Sequence, residues 1–281
     1  MTVNTKNTFF VLVTCSVERT RARVLETVVK NILDCEFPMD DFMVVDNGST
    51  IDDTRQLLKS SFKHVHFLKS NFGYWSAILY ALENMHALGR HYEYVYVIES
   101  DEIHYAAHLL EDCENFLNEH LKFGTVYTQE FSVQNVHLYD KTNRIVGSRT
   151  WAWKGLKSPV TGKRVIFEAA KSTDKITIYS SDLAPQVCAL NRTSFMYNAL
   201  MNLSKLEIFN ESHFWNEYFT VYAKTSLIEG GLFHCKLVDN DVTMTGSSIT
   251  PKQKEVDGYR QTRTDRITIL SQSDVNIFKR S

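Results

Sequence analysis

Residues 93–105 read EYVYVIESDEIHY. Tyr94, Val95, Tyr96, Val97 and Ile98 are a β-branched and aromatic run of the length of a buried strand. The run ends on Glu99, Asp101 and Glu102, three acids within four positions. Carboxylates crowded at a strand end repel one another unless something positive lies among them. One reading is a solvated loop, because strands end in polar loops. The other is a set of oxygen ligands for a divalent metal ion. Glu102 is expected to face solvent. His104 and His108 follow one helical turn apart, a spacing that zinc sites use. The acid of a His-Glu-x-x-His helix is missing, so two surface histidines are expected. A further acid, Asp46, closes the apolar run DFMVVD, where an ionisable group has little structural reason to stand.

These residues need a scaffold, and the first half of the chain supplies a regular one. TFFVLVTC, DFMVVD, HVHFL and YVYVIE read as strands. Between them lie helical patterns: RTRARVLETVVKNIL, with Val24, Leu25, Val28, Val29 and Ile32 at helical spacing, a short helix near 51–59, and GYWSAILYALENMHAL. AAHLLEDCENFLNEHL forms another helix after the fourth strand. Strands alternating with helices of this length predict βαβ units and a mainly parallel sheet. Ligands of such sheets sit at the carboxyl ends of the strands, where Asp46, Asn71, Gly73, Glu99 and Asp101 all fall.

The second half reads differently. Residues 123–175 are β-rich and polar and include the Trp-containing loop GSRTWAWKGLKSPVTG. APQVCALN reads as a strand, TSFMYNALMNLSKL and ESHFWNEYFTVYAK as helices, and the remainder as a polar tail. No internal repeat or low-complexity linker shows.

Composition excludes several classes. The chain has 281 residues, 43% hydrophobic and 23% charged, with a formal net charge of −2. That balance offers no bulk attraction to nucleic acid or an anionic membrane. No apolar stretch reaches transmembrane length, and the start lacks the features of a signal peptide. The five cysteines, Cys15, Cys35, Cys113, Cys188 and Cys235, are scattered, without a Cys-x-x-Cys pair. Reduced thiols and a cytoplasmic setting are the expectation. The Asn-x-Ser/Thr sequons at Asn47, Asn191, Asn202 and Asn210 are then chance.

Neither a Gly-x-Gly-x-x-Gly after the first strand nor a P-loop motif is present, which disfavours dinucleotide oxidoreductases and P-loop enzymes. Taken in order, VVDNGSTIDDT, NFGYWSAILYAL and VIESDE resemble motifs of family 2 glycosyltransferases with the GT-A fold. The likeness runs from Phe9 to Asp101, and more loosely through CALNRTSF and NESHFWNEYFTVYAK. It implies an α/β GT-A domain over 1–281, with a nucleotide-sugar half at about 1–122. An acceptor half and tail would follow at about 123–281.

The resemblance further implies an inverting transfer from a nucleoside-diphosphate sugar, UDP being the commonest in the family, to a glycan or lipid-linked acceptor. Thr14, Glu18 and Asp46 would line the base and ribose pocket. Glu18 also suits a helix N-terminus. Asn71 and Gly73 would approach the sugar nucleotide, although Asn before Gly near a helix start also suits capping. In the acidic stretch Glu99, Ser100 and Asp101 stand where the family carries its Asp-x-Asp motif. Asp101 would be the direct ligand of Mn2+ or Mg2+, Glu99 would contact ribose or metal, and His234 in GGLFHCK would add a later ligand. Glu99 in place of Asp leaves room for reduced metal dependence.

For the base, Glu217 aligns with the family's catalytic acid. Glu211 reads as a helix N-terminal residue after Asn210, and Asp182 is a third candidate. Trp215 either stacks on the acceptor or is a buried aromatic of an amphipathic helix. Trp153, beside Arg149, Trp151 and Lys154, would contact the acceptor. Arg260, Arg263 and Arg266 either close over the diphosphate or form a solvated basic tail. A sugar-phosphate nucleotidyltransferase and a catalytically silent nucleotide-sugar-binding protein are the alternatives.

Overall fold

The computed structural model describes residues 2–104, 107–128, 135–139, 145–150, 168–172, 177–181, 189–228, 232–238, 241–245 and 266–280. The first half alternates as its periodicity predicts: β1 (Thr8–Thr14), α1 (Arg19–Asp34), β2 (Phe42–Asp46), α2 (Asp52–Ser61), β3 (His64–Leu68), α3 (Tyr74–Asn84) and β4 (Tyr94–Glu99). A short strand, β5 (Glu102–His104), and α4 (Leu110–Glu119) follow. Then come β6 (Thr125–Thr128), β7 (Asn135–Tyr139), β8 (Ile145–Thr150), β9 (Glu168–Ser172), β10 (Thr177–Ser181) and β11 (Leu190–Arg192). The last third holds α5 (Thr193–Leu203), α6 (Glu211–Val221), β12 (Thr225–Ile228), β13 (Leu232–Val238), β14 (Asp241–Thr245) and β15 (Val275–Lys279).

The main sheet runs β15-β3-β2-β1-β4-β11-β6-β12-β10-β9, and a second runs β5-β13-β14-β7-β8. β1 pairs in parallel with β2 on one side and β4 on the other. The chain therefore leaves β1 toward β2 and later returns to its other flank, and this switch opens a crevice at the carboxyl ends. β11 is antiparallel to both β4 and β6.

Side-chain alternation explains why the parallel strands are apolar throughout. Phe10 and Leu12 of β1 join Leu25, Val28, Val29 and Ile32 of α1 in one core. Phe9, Val11 and Val13 join Ile78 of α3, Leu200 of α5 and Phe214 of α6 in the other. With both faces covered, neither set has a solvent side.

Two expectations change here. The tail is not merely polar, because β15 pairs antiparallel with β3 and covers the sheet edge. The helix expected over ESHFWNEYFTVYAK ends at Val221, and β12 takes over at Thr225. Among the described residues no helix is long and apolar enough to cross a membrane.

Candidate active site

Three loops at the carboxyl ends of β1, β2 and β3 are tied together by hydrogen bonds. Asn47 N–H donates to Thr14 O at 2.7 Å, and Thr50 N–H to Ser16 O at 3.1 Å. The Asn47 amide donates to Asn71 Oδ1 at 3.1 Å and accepts from Phe72 N–H at 2.9 Å. Asn71 Oδ1 also accepts from Gly73 N–H at 2.9 Å. Asn47 and Asn71 thus brace the loops that frame the crevice. Gly48 has a φ of +79°, and a Cβ there would lie 2.5 Å from the Ser70 carbonyl carbon, so the two loops touch only because it is glycine. Gly73, at φ +92°, turns the chain into α3.

Asp46 and Thr14 are register partners on neighbouring strand ends. Asp46 is fully buried. The Ser49 hydroxyl donates to its Oδ1 while accepting from Ser16 N–H at 2.7 Å. Oδ2 has no hydrogen-bond partner, and Thr14 Oγ1 is likewise buried without one. Arg55 Nε stands 4.0 Å from Oδ2, beyond hydrogen-bonding range. Burial raises the Asp46 pKa, opposed first by the hydrogen bonds from Ser49 and then by the Arg55 charge. Unsatisfied buried acceptors are costly, and this pair sits where the fold receives ligands. Glu18 is exposed at the N-cap of α1, with no capping bond from its side chain.

At the end of β4 the acids divide. Glu99, Ser100 and Asp101 keep partial exposure. Glu102, expected in solvent, is fully buried, and its Oε2 accepts from Glu99 N–H at 2.9 Å. The chain turns directly into β5, which points this carboxylate back under the turn. His104 is no surface histidine. It is buried, its Nδ1 lies 3.2 Å from Tyr96 Oη, and burial pushes its pKa down to about 4. Its backbone is gripped by Asn31 of α1, through N–H at 2.7 Å and C=O at 3.1 Å. His108 is exposed in a separate 3-10 turn.

The register sets His234 of β13 opposite Glu102, one residue beyond Asp101. Among the described residues no group of three His, Cys, Asp or Glu side chains is arranged to hold a metal. Glu99 and Asp101 still fit a hard divalent ion, because Mg2+-type sites are commonly completed by one or two carboxylates, water and substrate phosphate.

The base candidates separate by sheet edge. Trp75, in the first turn of α3, packs on Phe209 and Phe214 at ring distances of 5.0 and 5.2 Å. The start of α6, with Glu211, therefore stands at the carboxyl edge beside the β3–α3 loop. Tyr218, next to Glu217, accepts from Gly124 N–H at 3.1 Å. Gly124 O accepts from Arg192 N–H, and Arg192 pairs with Tyr94, the first residue of β4. Glu217 is thus about 9 Å along the helix toward the opposite edge. Glu211 is exposed at the first position of α6, with its carboxyl drawn toward the neighbouring Trp215. Crowding of that carboxyl by neighbouring protein raises its pKa, while the Trp215 indole N–H, 3.3 Å from Oε1, pulls it back down.

Trp215 is 2% exposed and packs against Phe214 and Tyr218, so its ring faces belong to the core and do not stack on an acceptor. Asp182, Trp151, Trp153, Lys154, Arg260 and Arg263 lie outside the described residues, as do the side chains of Arg149 and His234, while Arg266 is exposed. Ser49 and Arg55 are not among the residues that the sequence points to. Both stand within the quoted VVDNGSTIDDT and its next residue, and the Ser three positions after Asp46 was the available signal.

The profile of glycosyl transferase family 2 matches residues 10–177. The chain belongs to that family, and its mixed α/β sheet, parallel from β3 through β2 and β1 to β4, carries the family's GT-A fold. Among solved structures it is similar to the crystal structure of S. aureus TarS residues 1–349, with 16% identity, a TM-score of 0.47, and coverage of 80% of this chain and 58% of that one. A longer S. aureus TarS structure gives 16% identity, a TM-score of 0.41, and coverage of 80% and 35%. CMP:2-keto-3-deoxy-manno-octonic acid synthetase complexed with CTP gives 10% identity, a TM-score of 0.43, and coverage of 80% and 90%. The chain spans less than two thirds of either TarS structure. No match was found among curated protein sequences.

Proposed function

We propose that this chain transfers a hexosyl or deoxyhexosyl group from a UDP-sugar to a hydroxyl of a glycan or lipid-linked acceptor, with inversion. In this reading the half at 1–122 holds the donor, and the half at 123–281 the acceptor. The supporting observation is the pair Asp46 Oδ2 and Thr14 Oγ1, buried without hydrogen bonds at the carboxyl edge. A buried carboxylate acceptor matches an imide N–H, which uracil offers and cytosine lacks. Asn71 and Gly73 frame the sugar nucleotide, and Glu18 borders the ribose side. Thiols outside any disulfide at Cys35 and Cys113 agree with a reducing, cytoplasmic setting.

Asp101 and Glu99, with His234, would hold Mn2+ or Mg2+, which when bound neutralises charge on the leaving diphosphate. Glu211 is the base of choice. The acceptor oxygen attacks the anomeric carbon opposite the diphosphate, the bond to the diphosphate oxygen breaks, and UDP leaves with the electron pair. The hydroxyl proton passes to the Glu211 carboxylate, whose raised pKa makes it a stronger base once ionised.

The test is thermal stability with UDP, GDP, CDP and TDP, each with and without Mn2+. UDP is expected to raise Tm most, and Asp101→Ala to remove the Mn2+-dependent part while leaving Tm without ligand unchanged. If no nucleoside diphosphate raises Tm, the donor reading fails. A rise without turnover of any UDP-sugar supports the silent binding protein.

A further inference from the structure

We propose that Trp215 is a positioning residue for the base, its indole N–H holding the Glu211 carboxylate in one orientation at the start of α6. This rests on the reading of Glu211 as the base. Trp215 sits one helical turn after Glu211 on the same face, and its Nε1–H donates to Oε1 at 3.3 Å. The indole itself cannot drift. Its ring is buried between Phe214, at 5.0 Å and nearly perpendicular, and Tyr218, at 5.5 Å. Tyr218 is anchored in turn at both hydrogen-bonding positions of its hydroxyl, to Gly124 N–H and Lys224 O, each at 3.1 Å. A rigid aromatic stack thus runs from the amino edge of the sheet up to one polar handle at the carboxyl edge, and the handle meets Glu211.

The chemistry asks for such a handle. A carboxylate at the first position of a helix has free χ angles unless something holds it, and a base must meet the acceptor hydroxyl within hydrogen-bond reach. The indole is donor only, so it binds the ionised form and leaves Oε2 to accept the proton. Crowding of its carboxyl by neighbouring protein and the indole hydrogen bond act on Glu211 in opposite directions. His213, on the same first turn, receives the Asn210 N–H on its Nδ1 at 3.0 Å and is committed to the helix cap.

Two readouts test this. In 15N-labelled wild-type protein, one of the four tryptophan indole N–H resonances should follow a single carboxyl titration, and that dependence should vanish in Glu211→Gln. A Trp215 resonance that ignores pH across that range overturns the proposal without need of a core variant. In Trp215→Phe, which keeps the packing and removes the donor, the acidic limb of the kcat profile should move up by about one pH unit. Its KM for UDP-sugar should stay unchanged. A Trp215→Phe profile that coincides with wild type, while Glu211→Gln is inactive, removes Trp215 from the mechanism. Full activity of Glu211→Gln instead removes the base reading itself, and the proposal with it.

Discussion

The two ends of β1 carry the same problem, a buried carboxylate, and solve it differently. At the amino end Glu114 of α4 is buried and accepts from Lys6 N–H, Asn7 N–H and the Thr8 hydroxyl, the last at 2.7 Å. At the carboxyl end Asp46 is buried equally deeply, but one oxygen has only Arg55 at 4.0 Å and no hydrogen bond. The amino edge continues in the same closed style. Arg192 donates to Phe123 O and Leu117 O at 2.9 and 2.5 Å, and Tyr218 ties α6 to Gly124. A saturated carboxylate fastens elements together, whereas a half-satisfied one keeps an acceptor for something else. The proposed function concentrates at the second edge.

Variants at the two edges should therefore separate activity from stability. The largest effect is expected from Glu211→Gln, which should lower transfer about a hundred- to ten-thousand-fold with donor binding intact. Glu217→Gln, nearer the closed edge, should stay within a few-fold of wild type in the same assay. Equal losses in both would erase the distinction between the edges.

Stability should show the reverse. Glu114→Ala strands three donors and should cost about 3 kcal/mol in urea unfolding. Asp46→Asn should leave stability unchanged or raise it, since burial disfavours the charged form there. A Glu114→Ala protein as stable as wild type would mean that the amino-edge carboxylate is no fastening at all.

Between the edges, two buried histidines set the acid limit. His66, 2.7 Å from the Tyr80 hydroxyl, and His104 are both pushed by burial down to about 4 from 6.5. The unfolded chain then binds more protons between those values, so stability is full above pH 6.5 and falls as pH drops toward 4. Each contributes about 3 kcal/mol to that loss. Asp46 works in the opposite sense: its raised pKa means that stability declines as pH rises through its own titration. Urea midpoints from pH 7 to pH 4 measure the sum in wild type and the histidine part in Asp46→Asn, where a flat profile would show that neither imidazole is held neutral by the fold.

The parallel half was legible because its signals are local. The alternation of β1 and the 3.6-residue spacing of α1 each report a face, and acids closing apolar strands mark the crevice. What failed depends on distant partners. Glu102 looked like a loop acid, but β5 pairs with β13 over a hundred residues later and turns it inward. For Glu217, which the resemblance puts forward as the base, the pairing of β4, β11 and β6 adds which edge its end of α6 approaches, and the choice between it and Glu211 belongs to the proposal. The strand VNIFK alternates weakly, and β3 rather than its own composition defines it as β15.

The central claim is that the open carboxylate at the end of β2 reads the donor base. Calorimetric titration of UDP into wild type and Asp46→Asn, with and without Mn2+, tests it most directly. The account expects wild type to bind and Asp46→Asn to lose about tenfold or more in affinity under both conditions, roughly the 1.4 kcal/mol or more of one buried hydrogen bond to a charged group. Equal UDP affinity in the two proteins would contradict it.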